Sequence, residues 1–148
     1  MYQELDFSKM VLTCPTLQQF RAANLFEFQA SGQHIADPIV LNTVLATTMI
    51  DNLPYAVDVC GFTARVTKAP TDAAITLTFV LDGVDVTTLV PTIAATATEK
   101  VWRDDDADPN PLAAFEVPAG SRLGLYISQI GSTEPGENLS WTVTFRRK

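Results

Sequence analysis

Residues Ala74 to Pro91 contain two β-prone runs, Ala-Ile-Thr-Leu-Thr-Phe-Val-Leu and Val-Asp-Val-Thr-Thr-Leu-Val-Pro, joined by Asp82-Gly83. An Asp-Gly pair between alternating apolar residues is the strongest short-range hairpin signal, because both positions of a two-residue turn need a positive φ. Such a turn sets Leu81 opposite Val84, Phe79 opposite Val86, Leu77 opposite Thr88 and Ile75 opposite Val90. One face of the hairpin is then almost wholly apolar, and another sheet or another subunit must cover it.

From Asn24 onward the same period of two recurs between closely spaced turn residues, the pattern of an all-β sandwich or barrel of about eight strands. Asn24 to Ala30 reads as a strand, Ser31 to Pro38 as a loop, and Pro38 to Ile50 as a long Thr-rich strand or strand pair ended by Asn52-Leu53-Pro54. Tyr55 to Val66 carries Ala56, Cys60, Phe62, Ala64 and Val66 on one side and Tyr55, Val57, Val59 and Gly61 on the other. Two apolar sides predict a central strand or a subunit contact. Thr92 to Arg103 alternates Ala and Thr, Asp104 to Pro111 is a loop, and Pro118-Ala119-Gly120-Ser121 is a turn leading into Arg122 to Ile130. In the last strand Leu139, Trp141, Val143 and Phe145 alternate with Ser140, Thr142, Thr144 and Arg146, which predicts one buried and one wet side. Residues 1–23 lack this period and divide from the sandwich of 24–148 either as an arm with a short helix after Pro15 or as a first strand and connector of the same fold.

With 148 residues, 47% apolar and 18% charged, the chain suits one packed domain. No apolar stretch is long enough for a membrane helix. The formal charge of −7 excludes a basic stripe for nucleic acid, and the terminal Arg146-Arg147-Lys148 reads as a solvated tail. The first residues, Met-Tyr-Gln-Glu-Leu-Asp, show no secretory pattern, so synthesis and assembly in a cytoplasm are expected. Cys14 and Cys60 have neither a disulfide framework nor metal-ligand spacing and read as free thiols.

Chemistry is thinly represented. The one histidine, His34, falls in a loop by composition, and no spacing joins it to Cys14, Cys60 or Asp37, so no catalytic residue and no cofactor is expected. Asp104, Asp106, Asp108 and Asn110 alternate as calcium ligands do, but Pro109 stands where an EF-hand needs glycine and Phe115 where it needs glutamate. A solvated acidic loop is expected and no metal. Trp102, beside that loop, is the candidate exposed aromatic for a ligand.

Phe115-Glu-Val-Pro-Ala-Gly-Ser-Arg-Leu-Gly-Leu-Tyr-Ile-Ser128, followed by Leu139-Ser-Trp-Thr-Val-Thr-Phe145, resembles the closing strands of the jelly-roll heads of phage capsid decoration (cement) and fibre proteins. It is similar also to tumour-necrosis-factor-like and complement-type heads. The resemblance covers about a fifth of the chain and implies an antiparallel jelly-roll sandwich. It further implies a homotrimer with an apolar sheet face at the three-fold axis, for which Tyr55, Val57, Val59, Leu125 and Tyr126 are the candidates. The function it implies is that of a virion structural protein bound to a major capsid protein. In that role Leu5, Phe7, Met10, Val11 and Leu12 of the arm would anchor the chain to the shell. The alternative is a receptor- or carbohydrate-binding head using the loop from Trp102 to Pro111. Neither nucleic acid nor membrane is an expected partner.

Overall fold

The computed structural model describes residues 27–104 and 114–148. They form ten strands: β1 (Glu27–His34), β2 (Val44–Asp51), β3 (Val57–Lys68), β4 (Ile75–Leu81), β5 (Val84–Asp85), β6 (Thr92–Ile93), β7 (Glu99–Arg103), β8 (Phe115–Val117), β9 (Arg122–Gln129) and β10 (Glu137–Arg147). Among the described residues no helix is long and apolar enough to cross a membrane. The arm and short helix expected over 1–23 lie outside the described residues.

Two antiparallel sheets result. The first runs β1-β10-β3-β7, with β8 also on β3; the second runs β2-β9-β4-β5, with β6 also on β4. β7 and β8 pair with successive stretches of β3, and β5 and β6 with opposite ends of β4, so each pair is one interrupted edge strand. Counted so, the described residues form eight strands. The first sheet takes the first, last, third and sixth, and the second sheet the second, seventh, fourth and fifth, which is the jelly-roll order.

The core lies between the sheets. Leu139, Trp141, Val143 and Phe145 of β10 are buried there, facing Leu123, Leu125 and Ile127 of β9 and Ile75, Leu77 and Phe79 of β4. Period-two alternation in these strands was enough to assign the inward residues. β3 is different. Thr144 pairs with Gly61 but Phe145 pairs with Val59, so Cys60 is an extra residue in a β-bulge. The bulge shifts the phase of the strand, and Val57 and Val59 point into the same core as Phe62, Ala64 and Val66. The two apolar sides expected of this strand are therefore one side, read across a bulge that periodicity cannot see.

The Asp82-Gly83 turn forms as expected, with φ of 50° and 84°. Leu81 faces Val84, and the Val86 N–H donates to the Phe79 carbonyl at 2.8 Å. Further along the register slips. Ile75 pairs with Ile93 rather than Val90, and Leu77 donates to the carbonyl of Pro91 rather than facing Thr88. The slip loops the chain out at 87–91 and lets Leu89, fully buried, enter the core. Apolar burial outweighs a few ladder bonds. Ser31 to His34, expected as loop, continues β1 in register with Thr142 to Leu139. The long strand expected from Pro38 begins only at Val44, after a connection in which Ile39 is the buried residue.

Gly32 allows a close approach. A Cβ there would lie 2.7 Å from Cζ2 of the buried Trp141 indole. Gly32→Ala is expected to cost about 1–3 kcal/mol by overpacking, read from urea denaturation; an unchanged midpoint would show that Trp141 can shift freely.

Asp72 ties down the turn before β10. Its exposed carboxylate accepts the Ser132 hydroxyl at 2.5 Å and the N–H groups of Ser132 and Thr133 at 2.8 and 3.2 Å. These bonds, the Ser132 hydroxyl foremost, lower its pKa to about 2. The unfolded value is near ~3.9, so the contribution is complete above that value and is lost as pH falls through about 2. The wild-type denaturation midpoint should therefore fall more steeply on acidification through this window than that of Asp72→Asn; parallel profiles would remove this role.

Candidate functional site

The bulge at Cys60 lies beneath a compact ionic junction on the outer side of the first sheet. Glu27 opens β1, Arg146 faces it across the ladder from β10, and Arg103 ends β7. The Glu27 carboxylate accepts from Arg103 at 2.8 Å and from Arg146 at 3.1 Å, and its side chain is only 10% exposed. Arg146 also grips Asp104 with both guanidinium nitrogens, at 2.9 and 3.1 Å, a bidentate geometry that raises the pKa of Arg146 further. Two carboxylates and two guanidinium groups thus balance in a half-buried setting where an unpaired charge would be costly.

This junction holds together three points far apart in sequence. It pins the start of β1, into which residues 1–26 run, the last strand, and Asp104, after which the chain enters 105–113. The Asp104 N–H donates to the Cys60 carbonyl at 2.8 Å, reinforcing that point. The Cys60 thiol, buried and free, is pushed up to about 11, chiefly by desolvation. It is a poor nucleophile at neutral pH. Its contacts are the Thr144 carbonyl at 3.5 Å and Glu27 at 3.9 Å.

The basic C-terminus is not the solvated tail expected. Arg146 is in the junction, Arg147 stacks its guanidinium 4.1 Å from the Tyr55 ring centroid, and Lys148 reaches Glu116 at 3.4 Å and Asp58 at 3.9 Å. Each has an acidic or aromatic partner distant in the chain: Arg146 on β1 and just after β7, Arg147 just before β3, and Lys148 on β3 and β8.

Of the residues proposed for a three-fold contact, Val57, Val59 and Leu125 are inside the sandwich at 0, 0 and 2% exposure and present nothing to another copy. Tyr55 is half-buried under Arg147. Tyr126 is half-buried, on the outer face of the second sheet, where its hydroxyl donates to Asp85 at 3.0 Å. Trp102 is also a core residue, 4% exposed and 5.6 Å from Phe62 between ring centroids, so it offers no platform to a ligand. It alternates with Val101, whose side chain takes the outward place. His34 ends β1, and Asp104 is engaged by Arg146. Leu5, Phe7, Met10, Val11, Leu12, Cys14, Asp106 and Asp108 lie outside the described residues. Among the described residues no three His, Cys, Asp or Glu side chains converge as metal ligands.

A second feature escaped sequence reasoning. On the outer face of the second sheet, Val44, Ala46, Thr47, Val80, Gly124 and Tyr126 line an apolar groove of about 200 Å³. The register of β2 on β9 shifts between Val44 and Ile50, and the backbone of β2 crosses Gly124 so closely that a Cβ there would lie 2.9 Å from the Thr47 carbonyl oxygen. The alternation Gly124, Tyr126, Ser128 was visible in the sequence, but the crossing that makes a groove was not.

No protein-family model matches the chain, and no curated protein matches it. Among solved structures, a chain of the infectious bursal disease virus Gt strain structure is similar at a TM-score of 0.32 and 16% identity, over 82% of this chain. The match spans 31% of that chain, about a third of its length.

The junction generates a direct test. Glu27→Gln leaves two guanidinium groups short of a counter-charge and should destabilise the fold by about 1–3 kcal/mol. The exposed Glu116→Gln should stay within about 0.5 kcal/mol of wild type. Equal effects in urea denaturation would reduce the junction to an ordinary surface ion pair.

Proposed function

We propose that the chain is a virion structural protein, acting as a capsid decoration protein that stabilises a phage head by bridging subunits of the major capsid protein. The observation that carries this reading is the Glu27 junction. A half-buried ionic clamp fixes the point at which residues 1–26 join a rigid jelly roll, as a head that projects an attachment segment requires. The Val117-Pro118-Ala119-Gly120 turn of the resemblance occupies its expected place before β9, with Gly120 at a φ of 83°. Jelly rolls serve widely in viral shells.

In this reading Leu5, Phe7, Met10, Val11 and Leu12 add apolar or strand-edge contacts to the shell. A homotrimer would hold three such segments at once, so modest single contacts would sum to high avidity. The work done is binding, and no bond is made or broken. The alternative receptor- or carbohydrate-binding head loses its main support with Trp102 packed in the core.

Deletion of Met1 to Leu12 tests the reading. Full-length protein is expected to co-sediment with expanded shells of the encoding virus. The shortened protein should keep its β-sheet circular dichroism and stay in the supernatant. Equal pelleting of both would remove the arm as anchor, and a full-length protein that ignores shells but binds a glycan array would replace decoration by the receptor-binding alternative.

A further inference from the structure

The two sheets have four lateral edges, and three are poorly suited to receive a further strand. One is divided between β7 and β8, one between the two-residue strands β5 and β6, and on the third β2 sets Thr47, Thr48 and Met49 against Gly124 alone. β1 is different. All eight of its residues pair with β10 in unbroken register, and its sequence, Glu-Phe-Gln-Ala-Ser-Gly-Gln-His, has no bulge, proline or lysine, the devices that protect an edge. Its other side has no strand partner among the described residues. Phe28, Ala30, Gly32 and His34 take the inward positions, opposite Phe145, Val143, Trp141 and Leu139. Phe28 is 38% exposed although stacked on Phe145 at 5.2 Å, and Ala30 is half-buried. Of the seven exposed large apolar side chains among the described residues, five, Phe28, Ile35, Val40, Leu41 and Val44, stand on β1, at the start of β2 or on the connection between them. The sandwich is least closed along this margin. Trp141 Nε1 and His34 Nε2 are buried there without a hydrogen-bond partner among the described residues.

We infer that β1 receives an extended segment of the major capsid protein, which joins the first sheet as an added strand. The identity of the partner rests on the decoration reading, which the inference deepens by naming where the shell engages the sandwich itself, apart from the arm. The backbone of β1 defines the occupant as a strand, because an extended chain repeats N–H and C=O groups at the spacing of the free edge. The side chains define its pattern. Bulky aliphatic residues at alternate positions would pack against Phe28 and beside the small Ala30 and Gly32, and uncharged polar residues between them would lie next to the exposed Gln29, Ser31 and Gln33. The β1 of a second copy would bring only alanine and glycine to the middle of this margin. A strand of different sequence fills it better.

The test is hydrogen exchange by mass spectrometry on full-length protein, free and bound to expanded shells of the encoding virus. The amides on the free side of β1 are expected to exchange rapidly in the free protein and at least about tenfold more slowly on shells, with β7 unchanged. Two variants place the same charge on opposite sides of the strand. Ala30→Lys points inward, where an added strand would cover the ammonium, and should weaken shell co-sedimentation about tenfold; Gln33→Lys points outward and should leave it unchanged. Circular dichroism and the urea midpoint identify a variant that misfolds, in which case exchange on the wild type decides alone. Shell-bound protein whose β1 exchanges as fast as in the free state, or equal pelleting of two folded variants, overturns the inference and leaves decoration standing. Protection of β1 in the free protein that vanishes on deletion of Met1 to Leu12, or that grows with protein concentration, also overturns it, by assigning the edge to the arm or to a second copy. A protein that ignores shells refutes decoration and, with it, the capsid protein as occupant.

Discussion

The burial of one side of β10 is the interaction on which the rest of the sandwich depends. The last strand inserts between β1 and β3, and Leu139, Trp141, Val143 and Phe145 form the middle of the first sheet's inner surface. Without it β1 would have no partner in its sheet and β3 would lose its longest pairing. The fold is consequently non-local. Its first described strand pairs with its last, so most of the chain must be closed into loops before the core is complete, an ordering that raises the entropic cost of folding.

The bulge at Cys60 solves a problem that this arrangement creates. β3 serves β10 on one edge and the interrupted pair β7 and β8 on the other. A straight strand would turn either Val57 and Val59 or Phe62, Ala64 and Val66 to solvent. One extra residue brings both sets inward and leaves Cys60 as a small buried side chain next to the ionic junction. Packing and electrostatics meet at this point. Arg146 and Arg103 neutralise Glu27 and Asp104 at the end of β7, so charge ties that end of the edge strand to β1 and β10.

The outer faces of both sheets carry charge, the first with Arg103 and Arg146 on Glu27 and the second with Arg122 beside Asp51 and Tyr126 bonded to Asp85. Binding of the kind proposed for the shell needs few special groups. That agrees with a sequence holding one histidine, and with a Cys60 whose burial suppresses its thiolate.

Much of the architecture was legible from local chemistry: the Asp82-Gly83 turn, the Pro118-to-Ser121 turn, the alternation of β9 and β10 and the all-β class each follow from rules that act within a few residues. The misreadings have a common cause. The Cys60 bulge, the slip that buries Leu89, the inward turn of Trp102 and the partners of Arg146, Arg147 and Lys148 are all decided by neighbours dozens of residues away in the chain. Period and composition dictated that there would be strands and which residues favoured the interior, because those preferences belong to each side chain and its immediate backbone. Which edge each strand met, where the phase changed and which charges paired were settled only when the sheets closed, because the energy of a contact does not exist until both partners are in place.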